Sequence, residues 1–262
     1  MLVPPDRTAF YIGNYPVMKY GIAIGTAVFI SLFLLFYFRK KFFKEIPEDT
    51  LSDISFYVIL GGIFGARLWY ILLNADYYFS HLKEMIMINH GGISIHGAII
   101  GGIAAGFVYV KIKKLNFLRL ADLYSLVIPV GQAIGRWGNF FNSEAFGKPC
   151  FLPWKMYIAP NFRPSEYRNY EYFHPTFLYE SIADILIFVI LCFFLGKNFE
   201  KPDGILFFSY LILYSAVRIF IEFIRVDSVL NIGTVPIAVI VSAVIILTSF
   251  IFLIILLKSN RN

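Results

Sequence analysis

Long runs of apolar residues, each about as long as the hydrocarbon core of a bilayer is thick, are the feature of this sequence that most constrains its fold. A membrane-spanning α-helix needs about 20 such residues. Six segments reach that length, and a seventh at 120–135 is shorter and contains Pro129 and Gly131. The seven predicted spans are residues 17–38, 54–73, 91–110, 120–135, 176–195, 204–224 and 233–257. The sequence therefore predicts an all-α, polytopic membrane protein with seven transmembrane helices, in a single domain over residues 1–262.

The composition also fits a lipid solvent. Hydrophobic residues make up 58% of the chain and charged residues 15%, and the mean hydropathy is +0.70. Soluble domains are about 45–50% apolar and about 25% charged. The net charge of +6 does not indicate nucleic-acid binding, because the basic residues are scattered on loops and form no basic face interleaved with aromatic residues. The two cysteines form no CxxC pair and no HExxH motif occurs, so neither a metal ion nor another cofactor is predicted.

Small residues recur at a spacing that favours close helix packing. Five GxxxG spacings begin at Gly21, Gly61, Gly97, Gly102 and Gly131. Glycine at this spacing lets two helix backbones approach each other within a membrane. We therefore predict a packing role for these glycines and no chemical one.

Lysine and arginine in the short loops predict the orientation. The loop after the first span reads RKKFFK, the loop after the third reads KIKK and is followed by Arg119, and GKNFEK precedes the sixth. The C-terminal tail adds Lys258 and Arg261, whereas the loop 74–90 has only Lys83. Cytoplasmic loops carry an excess of basic residues. The N-terminus is therefore predicted to lie outside and the C-terminus in the cytoplasm.

Polar and ionisable residues in the spans fall toward the predicted outer face. An ionisable side chain at the centre of a spanning helix costs about 2.5–3.5 kcal/mol on insertion scales and is a candidate for function. These residues are Tyr20 in the first span, Arg67 in the second, His96 in the third, Arg136 just after the fourth, and Arg218 and Arg225 in the outer half and at the end of the sixth. Several guanidinium groups at one depth suit a phosphate, because each offers fixed bidentate donors to phosphate oxygens.

The sixth span carries polar residues on one helical face. Tyr214, Arg218, Glu222 and Arg225 are spaced i, i+4, i+8 and i+11, which keeps them together at about 100° per residue. Glu222 has two possible roles. It either neutralises one arginine in a packed interior or belongs to a substrate site with the other three.

The segment 135–147, GRWGNFFNSEAFG, places polar residues between apolar helices. We interpret it as a helix end followed by a re-entrant or interfacial stretch. Asn139, Asn142 and Glu144 either satisfy backbone groups exposed there or contribute to the site. His96 likewise is either a hydrogen-bonded core residue or a group that handles a proton.

The segment 135–147 resembles the signature of the bacterial prolipoprotein diacylglyceryl transferases, G-R-x-G-N-F-hydrophobic-N-x-E-x-x-G, at every fixed position. Phe177 stands where that family commonly has Gln. Further matching segments occur in the same order along nearly the whole chain. They are Tyr20-Gly21, GARLWY at 65–70, GGISIHGAIIGG at 91–102, HPTFLYE at 174–180 and YSAVRIFIEFIR at 214–225.

The resemblance implies a seven-span enzyme of the bacterial cytoplasmic (inner) membrane with its active site toward the outer leaflet. The implied reaction transfers the diacylglyceryl group of phosphatidylglycerol to the thiol of the lipobox cysteine of prolipoproteins. It forms a thioether, releases glycerol phosphate and is the first step of lipoprotein maturation. The positions that match the family's important residues are Tyr20, His96, Arg136, Asn139, Glu144, Gly147, Tyr214 and Arg218.

From the residues and the resemblance together we assign roles. Arg136 and Arg218 are predicted to bind the phosphate, and His96 either to receive the thiol proton or to position the group that does. These three are the predicted catalytic residues. The predicted substrate-binding residues are Tyr20, Asn139, Glu144, Gly147, Tyr214, Arg67, Glu222 and Arg225. The predicted partners are phosphatidylglycerol, the lipobox region of the precursor and membrane lipid.

An alternative from another class is a transporter or channel for an anionic solute, with the arginines as a selectivity ring. The chain shows no inverted repeat, and its polar residues gather at one membrane face. A seven-helix receptor is a third reading, but the last span has no lysine for a retinal Schiff base.

Overall fold

The computed structural model describes residues 1–87, 91–197, 202–226, 231–232 and 235–259. Within these ranges, seven helices are long and apolar enough to cross a membrane. They are α1 (Lys19–Phe42), α2 (Glu48–Leu73), α4 (Ile95–Ile112), α5 (Phe117–Asn142), α6 (Thr176–Lys197), α7 (Ile205–Glu222) and α8 (Ile237–Ser259); the short α3 (Ala75–Ser80) follows α2. The predicted class, a multi-pass helical membrane protein, is confirmed. Residues 233–234 of the last predicted span, residues 198–201 of one basic loop and Arg261 lie outside the described residues.

Short strands and turns occupy segments outside the seven spans. The strands β1 (Thr8–Ile12) and β2 (Tyr15–Met18) form an antiparallel hairpin before α1. Two more antiparallel pairs join β3 (Met156–Tyr157) to β4 (Tyr172–Phe173) and β5 (Asn231–Ile232) to β6 (Val235–Pro236). Among the described residues, 3-10 turns lie at Leu82–Ile86, Pro160–Phe162 and Ser165–Tyr167.

The chain forms two compact units. The first consists of residues 1–38 and 118–262, and the second of residues 39–117. The first unit contains most of α1 and α5, with α6, α7 and α8. The second contains α2, α3 and α4.

In the second unit, α2 and α4 pack against each other through glycines. A Cβ built on Gly65 would meet the backbone of Gly97 and Gly101, and one built on Gly101 would meet Gly61. This is the close approach that the GxxxG spacings beginning at Gly61 and Gly97 predict. The spacing at Gly102 faces Val58 of α2 in the same way.

The two remaining GxxxG spacings differ from each other. In the first unit, Gly131 of α5 lies against Ser31 of α1, with 2.6 Å between a built Cβ and the Ser31 hydroxyl oxygen, so its packing role is confirmed. No described atom lies within 4 Å of a Cβ built on Gly21 or Gly25. The prediction that this spacing packs a helix is therefore wrong for the described residues.

The structure corrects the length of the fourth span. α5 runs from Phe117 to Asn142 straight through Pro129, whereas the sequence suggested a helix at 120–135 and a re-entrant stretch after it. Buried side chains continue at helical spacing through Val130, Ala133 and Phe140, which explains why the helix persists. Arg136 is therefore inside the helix and not beyond its end.

A buried carboxylate of α5 fixes the start of α7. Asp122 Oδ2 accepts a hydrogen bond from the backbone N–H of Gly204 at 2.6 Å, and Oδ1 accepts one from that of Phe207 at 2.8 Å. The first N–H groups of a helix have no partner within the helix, and a carboxylate at that end satisfies them. Gly204 has φ +101°, a backbone conformation that glycine adopts without strain.

An aromatic cluster joins the end of α5, the β3–β4 pair and the start of α6. Its buried members are Phe140, Phe146, Met156, Ile158, Phe173 and Phe177. The rings of Phe140 and Phe177 stack with their centroids 4.9 Å apart. Phe177, which differs from the residue expected at this position, is fully buried there. This cluster sets the spacing between α5 and α6, on which the site depends.

Candidate active site

Three arginines surround one buried carboxylate of α6. Glu180 lies one turn into the helix and is 2% exposed. Its Oε2 pairs closely with Arg136 Nη2 of α5. Its Oε1 lies 3.6 Å from Arg218 Nη1 and 3.9 Å from Arg225 Nη1. The structure therefore brings together three arginines that the sequence placed at one depth.

Further contacts extend this network along α7. Arg218 Nη2 pairs with Glu222 Oε2 one turn away, at 2.6 Å. Arg136 Nη2 donates to the Tyr214 hydroxyl at 3.3 Å. Glu222 thus neutralises an arginine, as one of the two interpretations held, but that pair is one part of a network that also contains Glu180.

Arg225 lies three residues beyond the last residue of α7, Glu222, and not within the helix as the sequence suggested. Its backbone forms an isolated antiparallel bridge with Gly147, and the N–H of Lys148 donates to Ile224 O at 2.8 Å. Pairing with the signature segment ends the helix here and turns Arg225 toward the cluster.

The loop after α5 has an unusual backbone that several hydrogen bonds hold in place. Ser143 and Ala145 have φ of +58° and +52°, a left-handed conformation that costs non-glycine residues energy. Between them, the Glu144 N–H donates to Asn139 O at 2.9 Å. The Thr176 hydroxyl donates to Ala145 O. The start of α6 therefore fixes the loop that carries Glu144.

Gly147 ends this loop at a point where no side chain fits. A Cβ there would lie 2.7 Å from Ile224 Cγ2 and 2.9 Å from His174 Cβ, and its N–H donates to His174 O at 2.8 Å. Burial lowers the pKa of His174, so its imidazole is neutral at pH 7 and hydrogen-bonds the Tyr179 hydroxyl at 3.1 Å. Gly147 thus has a packing reason for its identity.

Tyr20 of α1 lies close to Arg136 of the arginine cluster. The Tyr20 ring packs on Gly138, where a Cβ would lie 2.7 Å from a ring carbon. Its hydroxyl is within electrostatic reach of both Arg136 and Glu144. Asn139 follows Arg136 by three residues and therefore lies on a neighbouring part of the same face of α5.

An open cavity of about 380 Å³ adjoins Glu144. Its polar lining consists of Arg7, Asn142, Ser143, Glu144, Asn161 and Arg163. Arg7 Nη2 donates to Asn142 O at 2.8 Å, and Arg163 Nε donates to Ile158 O at 2.8 Å. The first bond ties the N-terminal segment to the end of α5, and the second lies within the segment that follows this helix.

Comparison with known proteins decides the family. The model of the family described as prolipoprotein diacylglyceryl transferase matches residues 7–255. The chain belongs to the prolipoprotein diacylglyceryl transferase family. The predicted family and the predicted class, a transferase, are confirmed.

Relatives named phosphatidylglycerol–prolipoprotein diacylglyceryl transferase are similar over nearly the whole chain. The protein of Thermotoga petrophila is 46% identical over 98% of this chain and 86% of its own length. That of Trichormus variabilis is 44% identical over 92% of this chain and 86% of its own, and that of Acaryochloris marina is 42% identical over the same shares.

Two acidic residues of the site were missed by the sequence reasoning. Glu180 and Asp184 are one turn apart on α6 and are 2% and 1% exposed. Asp184 is within electrostatic reach of Arg136, but neither of its carboxylate oxygens has a hydrogen-bond partner in the described part of the chain. The sequence did contain a signal for them. Two acidic residues four apart in an apolar span cost as much free energy to insert into a membrane as the arginines that the sequence identified.

Arg67 is placed in the second unit, where its guanidinium holds a loop. It donates to Met85 O at 2.9 Å, Gly91 O at 2.6 Å and Gly92 O at 2.7 Å, and also to Glu84 O. Those bonds secure the segment that leads into α4. A substrate-binding role for Arg67 stays a prediction.

His96 is the second residue of α4 and is exposed. It belongs to the second unit, whereas Arg136 and Arg218 belong to the first. The grouping of His96 with the two arginines as catalytic residues stays a prediction.

Proposed function

We propose that Arg136 and Arg218 bind the phosphate of phosphatidylglycerol and that the chain transfers the diacylglyceryl group of this lipid to the lipobox cysteine of prolipoproteins. Membership of the family and the names of the relatives support this reaction. The main structural support for the site is that guanidinium groups from α5 and α7 converge on the buried Glu180. Arg218 Nη1 is a buried donor without a hydrogen-bond partner in the described structure, and a phosphate oxygen would supply one.

The chemistry requires a thiolate and a stabilised leaving group. A carbon–sulfur bond forms as the carbon–oxygen bond to the phosphate breaks, and the electron pair leaves with the phosphate of glycerol phosphate. A free thiol has a pKa near 8.5, so the enzyme has to remove its proton. Arginines at the phosphate favour the transition state because negative charge grows there.

The remaining roles follow the sequence assignments. His96 receives the thiol proton. Tyr20, Asn139 and Tyr214 orient the lipid headgroup by hydrogen bonds, and Glu144 orders the loop beside it. Arg225 and Glu222 are the remaining charged side chains that line the site.

We propose that this site lies at the outer leaflet of the bacterial cytoplasmic membrane. The cluster lies near the end of α5, the start of α6 and the end of α7, which is one end of all three helices. The positive-inside rule assigns that end to the outside, with the N-terminus outside and the C-terminus in the cytoplasm. Residues 1–262 act as one catalytic domain, and the lipobox region of the precursor and membrane lipid are its partners.

One assay tests the reaction. Purified protein is incubated with phosphatidylglycerol labelled in its acyl chains and with a peptide that contains a lipobox cysteine. Label on the cysteine supports the transferase. Transport of an anionic solute into vesicles without labelled peptide would support the transporter alternative instead.

The proposed role of His96 as the general base is tested separately. We expect His96→Gln to reduce turnover at neutral pH by about 100-fold or more, because general-base catalysis contributes about 100- to 10,000-fold. His81→Gln, at an exposed histidine, is the matched control and should keep normal turnover. Normal turnover of the His96→Gln enzyme would exclude this histidine as the base.

A further inference from the structure

The proposed phosphate-binding arginines are already partly neutralised. Arg136 pairs with Glu180, and Arg218 pairs with Glu222 and lies 3.6 Å from Glu180. Asp184, one turn deeper on α6, acts electrostatically on Arg136. The cluster therefore presents guanidinium donors without a large surplus of positive charge.

Asp184 differs from the other two carboxylates in its surroundings. Glu180 and Glu222 each lie within 4 Å of a guanidinium nitrogen, whereas Asp184 has no hydrogen-bond partner in the described residues. Burying a carboxylate without hydrogen bonds is costly. Burial disfavours the ionised form of this group and the Arg136 guanidinium favours it; where the group is ionised, its charge repels further negative charge nearby.

The reaction changes the charge of the bound phosphate. In phosphatidylglycerol the phosphate is a diester with one negative charge. In glycerol phosphate it is a monoester, whose second ionisation has a pKa near 6, so its charge is about −1.5 to −2 at pH 7. A site that is almost neutral accommodates one negative charge more easily than two, and more so where the dielectric constant is low.

We propose that Glu180 and Asp184 make the site selective for a singly charged phosphodiester over a doubly charged phosphomonoester. The two carboxylates thereby promote release of the glycerol phosphate product. They are specificity-determining residues that act by repulsion, a means by which proteins reject a competing ligand. This inference rests on the proposed binding of the lipid phosphate by Arg136 and Arg218.

Two soluble competitors test the proposal. Glycerophosphoglycerol is a diester with one charge, and glycerol phosphate is the monoester. The inhibition constants of both are measured for the full-length protein in detergent at about pH 7.5. We expect the unaltered protein to bind the diester more tightly. Asp184→Asn should tighten binding of the monoester by about tenfold relative to the diester, because it removes one repelling charge and keeps the shape of the side chain.

The readout separates selectivity from structural damage. A variant that merely loosens the site weakens both competitors, whereas loss of repulsion strengthens one of them. Glu180→Gln is the second variant and should shift the ratio in the same direction. Glu171→Gln removes an exposed carboxylate from the same unit and should leave the ratio unchanged. Protection against thermal unfolding by each competitor gives the same ratio in a variant without turnover.

A wrong phosphate site and a wrong selectivity role give different results in these measurements. If neither competitor binds the unaltered protein, the proposed phosphate site is wrong. The other result is that both competitors bind while the preference for the diester over the monoester stays the same or increases in Asp184→Asn and Glu180→Gln. In that case the selectivity role is wrong and the phosphate site stands.

Discussion

Arg136 contacts both an acidic and a phenolic side chain in the charged cluster, so the importance of its guanidinium shape can be tested directly. It reaches Glu180 and the Tyr214 hydroxyl through one nitrogen, Nη2, and we propose that its other N–H groups bind the phosphate. Lysine keeps the charge but has a single ammonium group that cannot offer a planar fork. We expect Arg136→Lys to lower kcat/KM by about 10- to 100-fold, since a hydrogen bond to a charged group contributes about 1.5–3 kcal/mol.

The matched control for this change is Arg119→Lys. Arg119 pairs with Asp203 at 3.4 Å, away from the cluster, and a lysine can keep that ion pair. The measurement is the initial rate of peptide labelling at several phosphatidylglycerol concentrations. Equal kcat/KM in the Arg136→Lys and unaltered enzymes would contradict bidentate recognition of the phosphate.

At the same scale, the sequence identified the arginines of the site but not the acids between them. Arg136, Arg218 and Arg225 stand out because arginine is rare in a spanning helix and suits phosphate. Glu180 lies at the end of a matching segment, and Asp184 one turn later, yet neither type of residue is an obvious phosphate ligand. Only the fold shows that α6 packs beside α5 and α7, which places Glu180 among three guanidinium groups and Asp184 within electrostatic reach of Arg136.

At the scale of elements, the pairing of α2 with α4 depends on the absence of side chains. Gly65 faces the backbone of Gly97 and Gly101, so a larger residue there would force the helices apart. We predict that Gly65→Val lowers the free energy of unfolding by about 1–3 kcal/mol, the usual cost of overpacking. Gly25→Val is the control, because no described atom lies within 4 Å of its Cβ.

Thermal unfolding in detergent, followed by circular dichroism, measures this difference. The Gly65→Val protein should unfold at a lower temperature than both the unaltered and the Gly25→Val proteins. Equal melting temperatures of the two valine variants would show that the glycine contact between α2 and α4 is not needed for stability.

The start of α7 depends on a single carboxylate of another helix. Asp122 accepts hydrogen bonds from the N–H groups of Gly204 and Phe207 through its two oxygens. Asparagine keeps the shape but has one acceptor oxygen, so one of the two bonds is lost. We expect Asp122→Asn to destabilise the protein by about 1–2 kcal/mol. Asp6→Asn, at an exposed position, should not change the melting temperature, and an equal result for both variants would contradict the capping role.

The sequence predicted the ends of a helix correctly where an apolar run determines them, and incorrectly where tertiary packing does. The spans predicted at 176–195 and 204–224 agree with α6 and α7 within two residues at every end, because long apolar runs have clear limits. α5 exceeded its predicted length because Gly138, Asn139 and Asn142 look like loop residues in the sequence. Tertiary contacts, among them the packing of the Tyr20 ring on Gly138, override those local preferences.

At the scale of the whole molecule, the sequence predicted seven spans and the family correctly, because both depend on patterns spread along the chain. The bilayer length sets the spans, and the signature at 135–147 has too many fixed positions to match by accident. The relation of His96 to the arginine cluster has no such pattern behind it. It depends on how separate helices are arranged, which spacing along one helix does not encode.

The orientation of the molecule in the membrane determines whether the arginine cluster can meet an exported precursor. If the N-terminus is outside, the segment between α5 and α6 faces the outside and the loop after α1 faces the cytoplasm. Ser165 is exposed in the first of these segments and Lys44 in the second. Of the native cysteines, Cys150 is buried and Cys192 lies within α6, so added cysteines can be compared with a low background.

Labelling of spheroplasts with a membrane-impermeant maleimide tests this orientation. We expect the Ser165→Cys protein to be labelled on intact spheroplasts, because positive-inside loop charges place that residue outside. The Lys44→Cys protein should be labelled only after the membrane is permeabilised, and the unaltered protein should show little labelling in either condition. The reverse pattern would put the ends of α5 and α7 at the cytoplasmic face. The cluster of Arg136, Arg218 and Glu180 would then lie on the wrong side for a precursor whose cysteine is modified at the outer leaflet.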